Sequence, residues 1–185
     1  MASPILKSEK IVLRRLRRSD VESLTLNANN KNIARFIPGF PSPYTVEHAR
    51  SWIDKTNRLY RKGTEIHFGI CDIESDAIIG MVGFKNINCQ SLNAEVGYWV
   101  GRKYWKRGIA SEGLRLISGY AFGELKLHRI YAIVSSKNIA SVRVLEKAGF
   151  LREACWREAH REGGRWFDVY SHGILKREFI KRQRR

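Results

Sequence analysis

At 185 residues, with 43% hydrophobic and 11% aromatic side chains, the chain has the size and apolar content of a single globular domain spanning 1–185. No apolar run approaches the roughly 20 residues of a membrane span, and the basic start lacks the apolar stretch of about 7–15 residues that a secretory signal carries, so the chain reads as cytoplasmic. The formal net charge of +16 is thickest in "LRRLRR" (13–18) and in "LKREFIKRQRR" (175–185), of which about 178–185 reads as a basic tail. Such charge speeds encounters with phosphates, nucleic acid or acidic proteins without choosing among them. Cys71, Cys89 and Cys155 lie far apart, with no Cys-x-x-Cys and no His at ligand spacing. They suggest neither a disulfide framework nor a metal site, and all three are expected to be buried apolar residues.

In chain order, "KIVLRRLRR" alternates Ile11 and Leu13 with charges and predicts a first strand. Asp20 is a candidate cap for a short helix through Leu24. "RFIPGFPSPYT" (35–45) carries three of the four prolines and reads as an irregular loop. From Val46, apolar residues at helical spacing predict a helix that Gly63 ends; Thr45 with His48 does not spell a capping box. "EIHFGICDI" and "AIIGMVGFKNI" predict two strands joined by a turn at "ESD", and "NAEVGYWVG" (93–101) a third. A helix over 109–122 precedes the apolar, β-branched "HRIYAIVSS", where His128, like His67 earlier, is expected to be a satisfied core residue. "NIASVRVLEKAGF" predicts a helix capped by Asn138 and ended by Gly149, and Gly163-Gly164 marks a closing hairpin. The order predicts an α/β (α+β) fold with a single mixed, largely antiparallel central sheet flanked by helices.

"YWKRGIASEGL" (104–114) places cations and one glycine at a helix start after a strand. The first N–H groups of a helix lack intrahelical partners and sit at the positive end of its dipole, so such a start can receive an anion. Gly108 would let a ligand approach the backbone, while Lys106 and Arg107 add charge. The stretch is neither a dinucleotide fingerprint nor a phosphate-binding Walker loop. Taken alone it could equally be a polar turn into a surface helix.

"WKRGIA" followed by "NIASVRVLEKAGF", with a buried strand between, resembles the Gcn5-related N-acetyltransferase superfamily. Gly108 and Ala110 match the last two slots of that family's Arg/Gln-x-x-Gly-x-Gly/Ala turn, Trp105 stands where Arg or Gln is usual, and Lys106 where a second glycine is common. The stretches "LRRLRRSDVESL", "IARFIPGFPSPYT", "IIGMVGF", "AEVGYWV" and "DVYSHGILKREF" are similar to the ribosomal-protein serine/alanine N-terminal acetyltransferases, so the likeness runs from about 10 to 180. It implies that Lys106, Arg107, Gly108, Ile109, Ala110 and Ser111 hold the pyrophosphate of acetyl-coenzyme A. It also implies that Trp99, Val100 and Asn138 border the rest of that cofactor.

The resemblance implies a catalytic role for Glu95, which would take the substrate proton directly or through water. Period two puts Glu95, Gly97 and Trp99 on one face of their strand. Ser141 stands where this branch places a serine near the departing sulfur, and Leu145 occupies the slot of the tyrosine acid found in many members. Phe40 and Tyr44 in the proline-rich loop and Tyr170 on the closing hairpin are implied acceptor contacts. Each has a plain alternative: Glu95 as a solvated strand residue, Ser141 and Tyr170 as packing residues, the loop aromatics as a surface corner. The expected activity is acetyl-CoA-dependent transfer to a primary amine, foremost the N-terminal α-amine of a (ribosomal) protein. The alternatives are a small-amine acetyltransferase (polyamine or aminoglycoside) and a non-catalytic RNA-binding module. The basic surface disfavours a polycationic acceptor and suits contact with RNA or acidic protein. It leaves oligomeric state open.

Overall fold

The computed structural model describes residues 4–183. Eight strands form one sheet in the order β1-β2-β3-β4-β5-β6-β8-β7. They are β1 (Leu6–Lys7), β2 (Ile11–Arg14), β3 (Ile66–Asp72), β4 (Ile78–Asn88), β5 (Asn93–Val100), β6 (Arg129–Ser135), β7 (Leu151–Glu162) and β8 (Arg165–Leu175). The helices are α1 (Val21–Ala28), α2 (Lys31–Ala34), α3 (Val46–Lys62), α4 (Ile109–Gly123), α5 (Ile139–Ala148) and α6 (Lys176–Gln183). The pairs β1/β2, β2/β3, β3/β4, β6/β8 and β7/β8 are antiparallel, and β5/β6 is parallel. A parallel pair cannot be closed by a hairpin, and α4 fills the crossover between its strands.

The chain divides into two compact units, one of residues through Lys85 with Gly97–Ile117, the other of Asn86–Val96 with Ser118 onward. In the first unit, Ile11 and Leu13 of β2 are fully buried, as are Phe68 and Ile70 of β3. Residues 78–84 of β4 are all buried, which is why that strand reads as a continuous apolar run. Leu24, Ala28, Ala49, Ile53 and Met81 form a cluster against which Phe40, Trp52 and Trp99 pack. Arg14 is buried inside this unit, and both Nη atoms donate to the Asp20 carboxylate at 2.8 and 2.9 Å while Nε donates to Asp76 at 2.8 Å. Asp20 occupies the N-cap position of α1 but makes no cap bond, because its carboxylate is committed to Arg14 and to the Arg17 N–H.

At α3 the structure corrects the sequence reading. Thr45 Oγ accepts from the His48 N–H at 3.4 Å, and His48 Nδ1 accepts from the Thr45 N–H at 3.1 Å, so His48 does the work of the usual Glu in a capping box. Gly63 ends the helix with φ 69°.

In the second unit, β6 alternates buried Ile130, Ala132 and Val134 with half-buried neighbours. Asn138 caps α5 by accepting the Ser141 N–H at 3.1 Å, and Gly149 ends it in the left-handed conformation. The β7–β8 turn puts Gly163 at φ 55° and Gly164 at φ 79°, the double left-handed pair that a two-residue hairpin demands. The basic C-terminal stretch is helical as far as Gln183, because Phe179 packs on Phe122 with centroids 5.3 Å apart and Glu178 accepts from the Leu175 N–H. Residues 184 and 185 of the expected tail lie outside the described residues.

Two further expectations are corrected. Only Cys71 is buried; Cys89 sits in the turn before β5 and Cys155 on the edge strand β7, both exposed. His128 is exposed because it lies one residue before β6, where only its backbone is engaged, donating to Leu92 and accepting from Lys176. His67 is largely buried and its Nε2 contacts Glu65 at 2.6 Å, as expected of a satisfied histidine.

Candidate active site

The β5–α4 connection belongs to the first unit. The Trp105 indole N–H donates to the Val100 carbonyl at 2.6 Å, and the Arg102 guanidinium lies 4.5 Å from the Trp105 ring centroid. The aromatic thus fastens the turn back onto the end of β5, a structural job that explains a tryptophan in the first slot of the motif. Lys106 has φ 63° and Gly108 φ 78°. A left-handed lysine costs on the order of 1–3 kcal/mol and persists only where the surroundings impose it. Lys106, Arg107 and Gly108 are exposed, and a Cβ built on Gly108 would meet no atom within 4 Å.

The first intrahelical bond of α4 runs from the Glu112 N–H to the Gly108 carbonyl at 3.0 Å, so the N–H groups of Ile109, Ala110 and Ser111 precede the ladder. The Ile109 side chain is buried, leaving its backbone as the part that can face a ligand. Glu112, the one acid in this first turn, is paired with Arg115 at 2.7 Å, and that hydrogen bond holds its carboxyl below the usual range. The result is a cationic, open helix start suited to a phosphate group.

Also in the first unit, Phe40 stands 5.1 Å from the Tyr44 ring and 6.0 Å, edge-on, from Trp99. Tyr44 is 6% exposed and belongs to the core cluster, its N–H donates to Asn29, and burial pushes its phenol up to about 12. Tyr44 is therefore a packing residue that holds Phe40 and Trp99, both half-buried, in an aromatic wall.

In the second unit, Glu95 is half-buried on β5 and its Oε2 accepts from the Asn86 amide at 3.0 Å. Residues that pair across strands share a face. Glu95 pairs with Tyr131, Tyr131 with Gly173, and Ile133 with Ser171. On this face lies a cleft of about 240 Å3 lined by Asn93, Arg129, Tyr131, Ile133, Trp156 and Ser171. The sequence reading did not find it, because Tyr131 and Ile133 become neighbours of Glu95 only through the strand register. Val134 pairs with Tyr170, which puts Tyr170 on the opposite face, beneath the Arg152 guanidinium at 4.9 Å. The structure therefore does not bring Tyr170 to the Glu95 face.

Ser141 is half-buried in the first turn of α5, and Leu145, one turn on, is 1% exposed in the core. Leu145 fills with core packing the slot where the resemblance would place a tyrosine acid. Asn138 spends its Oδ1 on the cap. Among the described residues no group of three or more His, Cys, Asp or Glu side chains is placed to hold a metal ion, and no helix is long and apolar enough to cross a membrane.

The family described as acetyltransferase (GNAT) domain matches residues 10–151. An uncharacterized N-acetyltransferase of Bacillus licheniformis, p20, is 33% identical over 175 residues, covering 94% of this chain and 97% of that protein. The ribosomal protein uS5-alanine N-acetyltransferase of Escherichia coli is 29% identical over 113 residues, 60% of this chain and 58% of that enzyme. The crystal structure of spermidine N-acetyltransferase from Vibrio cholerae, in complex with CoA and spermine, superposes with a TM-score of 0.79 at 26% identity, covering 94% of this chain and 99% of that one. With family, relatives and fold in agreement, the chain belongs to the GNAT acetyltransferases and is an N-acetyltransferase.

Proposed function

We propose that the protein transfers the acetyl group of acetyl-CoA to the N-terminal α-amine of a protein. The observation that carries the cofactor part is the left-handed pair Lys106 and Gly108 before α4, which opens a cationic turn and the backbone N–H groups of Ile109, Ala110 and Ser111 together. Lys106 and Arg107 would supply charge to the pyrophosphate, and Trp99 and the end of β5 at Val100 would border the pantetheine. The bound cofactor supplies a thioester, an acyl group activated toward nitrogen.

On this reading Glu95, steadied by Asn86, accepts the proton that the amine sheds as its nitrogen bonds to the carbonyl carbon. An α-amine has a pKa near ~8, against ~10.4 for lysine, so a carboxylate acting directly or through water suffices. The carbon–sulfur bond then breaks, and Ser141 hydrogen-bonds the thiolate or relays its proton. The cleft beside Glu95 would seat the first side chain of the acceptor against Tyr131, Ile133 and Trp156.

Charge and one relative support this acceptor class. At +16 the protein repels a polycation such as spermine, whereas an acidic or ribosome-bound polypeptide is drawn to it. A relative in Escherichia coli is named for alanine acetylation of ribosomal protein uS5. The test is incubation with acetyl-CoA and peptides beginning with free Ser, free Ala or a blocked terminus, alongside spermine and an aminoglycoside, read by mass. Acetylation of free Ser or Ala termini alone is the expected result; modification of spermine or the aminoglycoside instead would establish a small-amine enzyme.

A further inference from the structure

A cleft of about 730 Å3 in the first unit is lined by Arg14, Arg15, Arg17, Arg58 and Arg61 against one acid, Asp54. These arginines are not equivalent. Arg14 is consumed by Asp20 and Asp76, and Arg17 shares the same Asp76 at 3.1 Å. Arg15 is oriented by a neutral group: its Nε and Nη2 donate to Asn57 Oδ1, and its guanidinium lies 4.4 Å from the Tyr60 ring centroid. Asn57 is itself fixed, donating its amide to the Leu16 carbonyl at 3.3 Å and lending its own carbonyl to Arg61 Nε at 3.2 Å. Arg58 and Arg61 are exposed and three residues apart on α3, on the same side of the helix.

Among the described residues, Arg15 and Arg61 are thus held by neutral acceptors and exposed Arg58 has no carboxylate partner, while Arg17 shares Asp76 with Arg14. Ion pairing accounts for Arg14 and Arg17 but not for Arg15, Arg58 and Arg61: among the described residues Asp54 is the only carboxylate in the lining, and it sits 3.8 Å from Arg18. Planar guanidinium forks oriented by neutral acceptors suit phosphate oxygens, which they engage in pairs. Apolar lining is confined to Pro4, Ile5 and Leu16, which offers little to the side chains of a peptide. A chain whose charge repeats at every unit and whose recognition needs no side-chain pockets matches both walls.

We infer that the cleft between α3 and the 14–18 segment binds the phosphodiester backbone of RNA through Arg15, Arg17, Arg58 and Arg61. This site is separate from the turn at Gly108 and stands whether or not the acceptor assigned above is correct. Binding is insensitive to base sequence and falls with salt.

The experiment is fluorescence anisotropy of a labelled single-stranded poly-U RNA with the full chain across a salt series. Arg58→Ala with Arg61→Ala is compared with Arg177→Ala with Lys181→Ala, an equal loss of charge on exposed positions of α6. Loss of two phosphate contacts should weaken binding about tenfold and shrink the slope of log affinity against log salt by about 1.4 in magnitude. The α6 variant should change less than about twofold. Arg17→Ala, on the opposite wall, should weaken binding in the same direction, and circular dichroism confirms that each variant is folded. Equal losses in the α3 and α6 variants would reduce the effect to bulk charge and overturn the site. So would absence of RNA binding, or displacement by poly-glutamate at a lower charge concentration than by unlabelled poly-U.

Discussion

Glu95 owes its candidacy to three facts of different kind: its place on β5, the Asn86 amide that steadies one oxygen, and the cleft that its face shares with Tyr131 and Trp156. A general base contributes about 10²–10⁴-fold to a proton-transfer step. Glu95→Gln keeps the shape and the hydrogen-bonding oxygen while removing the basic group. We expect kcat to fall at least about 100-fold with cofactor affinity unchanged, and the acidic limb of the pH–rate profile to disappear; a variant with the profile intact would exclude Glu95 as the base. Tyr44 and Tyr170 teach the converse lesson. Their motif positions were readable, but Tyr44 proves to be core and Tyr170 faces away from Glu95, because burial and facing depend on neighbours distant in sequence.

At the scale of elements, what could be read from the sequence was whatever has a local cause. Periods of two and 3.6, Gly63, Asn138 with Gly149, and Gly163-Gly164 act within a few residues, and the structure has the strands, helices and turns they mark. The short β1, the continuation of the C-terminus as α6, and the His48 cap were not legible. β1 exists by pairing with β2, α6 by docking Phe179 on Phe122, and His48 replaces the expected acid with a ring nitrogen. The candidate site divides the same way: the α4 start was legible, whereas the Tyr131–Trp156 cleft required the register. The α4 turn yields a sharp test, since nothing in the fold crowds Gly108. Gly108→Val meets no neighbouring atom and leaves the core untouched, costs on the order of 1–3 kcal/mol because a β-branched residue is strained at φ 78°, and places a branched side chain where the cofactor would approach. We expect at least a tenfold loss of acetyl-CoA affinity by calorimetry with the protein still folded; unchanged affinity would remove the turn as the cofactor site.

Across the whole molecule, acid lability has two sources with separate pH windows. Arg14 holds the Asp76 carboxyl, and Arg129 the Glu153 carboxyl, below the usual range by direct hydrogen bonds. A carboxyl depressed in the folded state stabilises the protein above about pH 4 and loses that contribution as pH falls further. His172 acts earlier. It is fully buried on β8, neither ring nitrogen has a hydrogen-bond partner among the described residues, and burial lowers its pKa from the usual value despite the raising influence of Glu146 and Glu153. Arg152 lowers it further. Above about pH 6.5 the ring is neutral in both states and stability is flat; below it the unfolded chain gains a proton that the folded chain refuses, so stability falls. Each such histidine contributes at most about 1.4 kcal/mol per pH unit, and His67, also depressed chiefly by burial, adds in the same direction. Urea unfolding at pH 7.5 and 5.5 should therefore show a drop in stability that His172→Leu reduces, even if the substitution changes stability at pH 7.5. An equal drop in the variant would place the proton uptake elsewhere. A drop that shrinks would identify a buried ring in the strand beside β6 as a source of acid sensitivity ahead of any carboxylate.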